Sequence, residues 1–140
     1  MKILLAVDGS PTTRRMLAKL AARDELLGPG HQYTALTVVM PVSGHVASLL
    51  PAATIEGWHQ EQAEQVLTPV RAFSAQNAWD VQTRFVVGHA GDAIAQLAEE
   101  GKFDMIVMGT HGYSSLTNVV LGSVATRVLA RTKLPVLLVR

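Results

Sequence analysis

The sequence predicts a single α/β domain spanning 1–140, a doubly wound five-stranded parallel sheet with helices on both faces. Three observations carry that expectation. Five short aliphatic runs alternate with segments of helical spacing, an order that right-handed crossovers turn into an open parallel sheet. Apolar residues make up 49% of the chain but aromatic ones only 5%, as suits strands buried on both faces and built from Val, Leu, Ile and Ala. A length of 140 residues also suffices to enclose one hydrophobic core.

Lys2–Val7 reads as the first strand, closed by the carboxylate of Asp8. Ser10 is placed to cap the following helix, with Pro11 in its first turn. That helix is expected over Thr12–Leu27, with Met16, Leu17, Leu20 and Ala21 on one face and Gly28-Pro29-Gly30 ending it. Tyr33–Met40 is the second strand. The stretch Pro41–Ile55 reads as one irregular insertion, long enough to cover a site. A second helix over Glu56–Asn77 turns Val66, Val70 and Phe73 inward, and Pro69 predicts a kink or break within it. Val81–Val87 is the third strand. Asp92–Glu100 is a helix with Ile94, Leu97 and Ala98 on its apolar side, ended by Gly101. Met105–Met108 forms the fourth strand. Thr117–Ala130 is a helix carrying Val120, Val124 and Val128, and Pro135–Val139 is the closing strand.

Composition excludes several functions. A net charge of +1 without any run of like charges gives no footprint for nucleic acid or an anionic membrane. With no cysteine, thiolate catalysis, thiolate metal sites and disulfides are ruled out. The first strand is too short for the apolar core of a secretory signal. The longest apolar stretch, Ala35 to Ile55, is broken by Pro41, Gly44, His45 and Pro51, so it does not supply the ~20 continuous apolar residues of a membrane helix. A cytoplasmic protein is expected. The histidines at 31, 45, 59, 89 and 111 show no i,i+4 pair or carboxylate pattern for a metal site.

Open parallel sheets bind ligands beyond the carboxyl ends of their strands. The fourth strand ends in Gly109-Thr110-His111-Gly112, and nine residues later Gly122-Ser123 leads into a helical segment. Glycines let main chain approach a ligand without a Cβ, and small turns present N–H groups to an anion. Several such groups together with the Ser123 hydroxyl suit a polyphosphate. The structural alternative is turn geometry and tight helix–strand packing. No Lys follows the glycines, so the segment is not a Walker A loop, and no strand–GxGxxG–helix fingerprint is present. His111, between turn residues, reads as an exposed bystander, with contact to phosphate as the alternative. Asp8 has an alternative role in shaping the turn into the first helix, and Met108 one in filling the core.

Val7-Asp8-Gly9-Ser10, the Gly109-x-x-Gly112-x9-Gly122-Ser123 spacing, Val87-Gly88 and the closing Pro135-Val136-Leu137-Leu138-Val139 together resemble the universal stress protein family, in its UspA-like, ATP-binding branch. The similarity runs from Ile3 to Arg140. It implies an adenine-nucleotide α-hydrolase-like fold and a stress-response module whose ligand is ATP, with ADP or AMP left open and Mg²⁺ arriving on the phosphates. The resemblance sets Asp8, with the Ala6 and Val7 backbone, against the adenosine end. It gives Val38 main-chain hydrogen bonds to the adenine edge and makes Met108 and Gly109 the floor near the ribose. Gly112, Gly122, Ser123 and the N–H of Val124 fall to the phosphates. Many ATP-binding relatives carry a basic residue just after the second motif glycine. Tyr113 stands there, and Ser114 and Ser115 follow with hydroxyl donors.

Phosphoryl transfer needs charge stabilisation and a positioned base or water. The motif has no Lys, Arg127 is the nearest cation, and no carboxylate lies between Asp104 and Arg140. The expectation is therefore a regulatory binding module with little or slow hydrolysis and no catalytic residue, read by a protein partner. A slow ATPase or nucleotide-transfer enzyme, and a dimeric scaffold without nucleotide, are the alternatives. The aliphatic strand Val136–Val139, if at a sheet edge, invites pairing with a second copy, and the resemblance likewise implies a homodimer.

Overall fold

A computed structural model describes residues 1–113 and 120–140. The elements run β1 (Lys2–Ala6), α1 (Pro11–Ala21), α2 (Asp24–Leu27), β2 (Gln32–Val39), α3 (Gly44–Leu49), α4 (Ala52–Gln76), β3 (Val81–Val87), α5 (Ala90–Glu100), β4 (Met105–Gly109), α6 (Ser123–Arg131) and β5 (Val136–Val139). All five strands are parallel, in the order β3-β2-β1-β4-β5. The connections from β1 and β4 therefore leave toward opposite edges of the sheet, and a crevice opens between their carboxyl ends.

The strand pleat sorts each aliphatic run between two cores. Ile3, Leu5 and Val7 join Tyr33, Ala35 and Val107 under α1 and α4, where Met16, Leu17, Leu20, Ala63, Leu67 and Val70 meet them. Leu4, Leu36, Ile106 and Met108 face the other way, against Ile94, Leu97 and Ala98 of α5 and Ala125 and Val128 of α6. Each fully buried Leu or Ile contributes roughly 1.5–3 kcal/mol, so this double burial is the main support of the sheet. At the amino end Tyr33 stacks on Trp79 with ring centroids 4.6 Å apart, and its hydroxyl donates to the Gly28 carbonyl at 2.7 Å.

Several elements differ from the sequence expectation. The first helix stops at Ala21, because the next positions on its apolar face, three and four beyond Leu20, are the charged Arg23 and Asp24. Arg23 leaves helical geometry and starts the short α2, which brings Leu27 into the core at 2% exposure. Pro41–Ile55 is not irregular: Ser43 caps α3 through Val46 N–H, and Pro51 starts α4 at Ala52. Nor does Pro69 break α4. Pro69 and Gln65 are both exposed, so the carbonyl that loses its donor can turn to water, while Leu67 and Val70 anchor both sides of the site. The third predicted helix begins earlier, at Ala90. The last one begins at Ser123, not Thr117: Gly122 is extended (φ −71°, ψ 166°) and its N–H donates to the Thr110 carbonyl at 2.7 Å. Val120, expected on that helix, lies outside it and is 81% exposed. Among the described residues no helix is long and apolar enough to cross a membrane.

Candidate functional site

The turn after β1 is built by its own side chains. Asp8 Oδ1 accepts from Ser10 N–H at 2.9 Å and from the Thr13 hydroxyl at 2.8 Å, and Asp8 N–H donates to Thr13 Oγ1 at 3.1 Å. Gly9 sits between them at φ +76°, a left-handed conformation that a Cβ would strain. Ser10, fully buried, caps α1 by accepting from Thr13 N–H at 3.4 Å. The turn-shaping role of Asp8 is therefore present. Its other oxygen faces elsewhere: a Cβ added to Gly112 would lie 2.6 Å from Asp8 Oδ2.

The loop after β4 closes the opposite wall. A Cβ on Gly122 would sit 3.1 Å from the Thr110 carbonyl oxygen and 3.2 Å from His111 Cα, so glycine is what lets the start of α6 lie against the Thr110–His111 backbone. Among the described residues no side chain caps α6. Its first residues Ser123, Val124 and Ala125, whose N–H groups have no intrahelical partner, line the cavity. β1 pairs with β2 only as far as Ala6 and Leu36, and Val7 N–H takes the Leu36 carbonyl at 2.9 Å. Two residues further along β2, the main-chain groups of Val38 point to the same side as those of Leu36, where β1 has already turned away.

These walls enclose a cavity of about 310 Å³ at the carboxyl ends of β1, β2 and β4, within the size range of small-molecule sites. Ala6, Val7, Asp8, Val38, Met108, Gly109, Gly112, Gly122, Ser123 and Val124 all line it. Ser114, the remaining residue named from the sequence, lies outside the described residues. Met108 also fills the core at 4% exposure. His111 is a correction: it is half-buried, lines the cavity and places Nδ1 3.1 Å from Thr110 Oγ1.

Sequence reasoning missed Thr12, Thr13, Leu36, Ala90, Ile94 and Ala125 as lining residues, and Thr110 and Tyr113 of the motif line the cavity as well. Thr12, Thr13 and Ala90 occupy the first turns of helices that follow β1 and β3, and that position is itself a usable signal. Asp8 is the only formal charge on the described lining. Arg127 and Arg131 are held by Asp92, with Arg127 Nε 2.8 Å and Arg131 Nε 3.1 Å from Oδ1. The Arg127 hydrogen bond holds the Asp92 carboxyl below its ordinary range. Among the described residues no group of three or more His, Cys, Asp or Glu could hold a metal ion.

The sequence profile of the universal stress protein family matches residues 1–140. This chain belongs to that family. A member from Thermus aquaticus is 32% identical over 138 residues, covering 99% of this chain and 97% of its own. Universal stress protein Slr1230 of Synechocystis sp. is 29% identical over 140 residues, 99% of this chain but 42% of its own length. A Mycolicibacterium smegmatis member is likewise matched over 46% of its length, so the chain spans less than half of these two relatives. Among solved structures, the MJ0577 protein is 26% identical with a TM-score of 0.77, covering 99% of this chain and 94% of that one. UspA of Lactobacillus plantarum, 22% identical, has a TM-score of 0.81 and covers 100% and 97%. Family folds with lower TM-scores are known as complexes with cAMP (0.71), with AMP in a protein from Arabidopsis thaliana (0.70) and with dAMP in one from Archaeoglobus fulgidus (0.70).

Proposed function

We propose that this chain is an adenine-nucleotide-binding regulatory module of the stress response, with little or slow hydrolysis. The observation that carries the proposal is the convergence on one cavity of the ten described residues assigned from the sequence. Adenine lies along Val38 and the ends of β1, with the ribose over Met108 and Gly109. Phosphate sits where Gly112 and Gly122 leave main chain bare and the start of α6 offers its N–H groups. The complexes of distant family folds with AMP, dAMP and cAMP support the same reading by analogy. ATP is the triphosphate form of that ligand, and Mg²⁺ is carried by phosphate oxygens and water. The single acidic side chain on the described lining and the engagement of Arg127 by Asp92 leave the transition state of phosphoryl transfer without a protein cation.

The unit is proposed to act as a two-fold dimer. β5 lies at the sheet edge beside β4, and its four residues are half-buried aliphatics, an edge suited to pairing with a second copy. A regulatory protein then reads nucleotide occupancy. Mass spectrometry of the small molecule released on denaturing freshly purified protein is the direct test. An adenine nucleotide at near-stoichiometric yield is expected. Failure of any adenine nucleotide to bind at millimolar concentration would overturn the proposal.

A further inference from the structure

The cavity is short of positive charge. Among its described lining residues there is no Lys or Arg, and the undescribed stretch 114–119 reads Ser-Ser-Leu-Thr-Asn-Val, which adds no charge of either sign. Arg127, in the second turn of α6, gives Nε and Nη2 to Asp92 at 2.8 and 3.4 Å. Arg15 reaches Thr12 Oγ1 at 3.2 Å from an exposed position that does not line the cavity. The one formal charge on the described lining is negative: Asp8, set against the adenosine end, also faces the glycine turn. Asp8 commits Oδ1 to the β1 turn and directs Oδ2 toward Gly112, the glycine turn over which a phosphate would run. Among the described residues the donors there are N–H groups at the start of α6, the hydroxyls of Thr110 and Ser123 and the His111 ring, with no Lys or Arg. They do not neutralise a chain of three phosphates beside a carboxylate in a partly desolvated cavity, where like-charge repulsion is weakly screened.

Building on the reading of this cavity as an adenine-nucleotide site, we infer that it selects its ligand by charge, taking a nucleoside monophosphate without metal and a triphosphate only as its Mg²⁺ complex. Tyr113 is where this selection is adjustable. It is 73% exposed at the rim, with its hydroxyl 3.3 Å from the Cβ position of Gly9, so a cation in its place would reach the phosphate end.

Isothermal titration calorimetry of the full chain at pH 8 with adenosine, AMP and ATP, each in EDTA and in excess Mg²⁺, tests the inference. In EDTA, AMP is expected to bind at least about tenfold more tightly than ATP, and Mg²⁺ to bring ATP within a few-fold of AMP. Tyr113→Arg should raise metal-free ATP affinity about tenfold with a smaller change for AMP. Asp8→Asn should shift the ratio in the same direction, since Asn keeps an oxygen acceptor for the Ser10 N–H and the Thr13 hydroxyl. Thermal melts of both variants confirm that they fold. If metal-free ATP binds as tightly as AMP, or if neither variant alters the AMP-to-ATP ratio, charge selection is overturned while the nucleotide site stands. If adenosine, AMP and Mg²⁺-ATP all fail to bind, the nucleotide reading itself falls and takes the inference with it.

Discussion

The two turns that wall the cavity solve the same local problem in opposite ways. The β1 turn satisfies itself: Asp8, Ser10 and Thr13 exchange four hydrogen bonds, and a buried serine caps α1. The β4 turn does the reverse, relying on glycine and, among the described residues, starting α6 without a side-chain cap. A helix start that has its own cap has less to offer an anion, whereas an uncapped one beside a cavity keeps its N–H groups for a ligand. Under the proposed function, one wall is a structural element that would also touch the ligand, and the other would be the ligand's own seat. Substitutions on the first wall should register in stability, those on the second in binding.

The sharpest separation is expected from Gly122→Val. At φ −71° a side chain is conformationally allowed, but its Cβ would press on the Thr110 carbonyl and His111 Cα at 3.1–3.2 Å and displace the loop. Nucleotide affinity should fall by about 100-fold or more, roughly 2.7 kcal/mol, with the urea midpoint nearly unchanged. A variant that binds normally removes the phosphate assignment. Asp8→Ala should show the opposite balance. It strips two donors of a charged acceptor, a loss of about 2 kcal/mol in urea unfolding, and weakens Mg²⁺-ATP binding less than Gly122→Val does. Were Asp8→Ala neutral in stability, the contrast between the turns would be wrong. Ser10→Ala removes the α1 cap and should cost about 1 kcal/mol without altering nucleotide affinity beyond a few-fold.

The amino end of the sheet supplies a control that is silent at neutral pH. Burial pushes the Tyr33 hydroxyl from its ordinary 10 up to about 12. Its folded-state value is the higher one, so its contribution is complete below pH 10 and is lost as pH rises through about 12. Urea unfolding of the wild type should weaken between pH 10 and 12, and Tyr33→Phe should flatten that decline. An equal pH dependence in both proteins would show that Tyr33 is not protected by the core. Nucleotide affinity should not respond to this substitution, since Tyr33 is absent from the cavity lining.

Much of this architecture was legible in the chain. Continuous aliphatic runs such as Ile3-Leu4-Leu5 mark strands covered on both faces, and alternation with helical spacing leaves little choice of topology. The glycine spacing from Gly109 to Ser123 also points to the cavity wall. Element ends were less legible. Local spacing carries the first helix through to Leu27, yet the break at Arg23 depends on keeping two charges out of a core that other segments build. Pro69 breaks a helix in isolation, but here anchors on either side hold α4 together and its exposed face leaves the freed carbonyl to water.

The sequence by itself determined the alternating elements, the double burial of the strands and the glycines and serine of the β4 loop, because periodicity and backbone freedom are local properties. Only the tertiary structure decided that Asp8 turns one oxygen into its own turn and the other toward Gly112, that His111 and the first turns of α1 and α5 join the lining, and that Arg127 is held by Asp92. Those facts depend on which distant segments become neighbours. The charge a cavity presents is a sum over such neighbours, and no local stretch of sequence contains it.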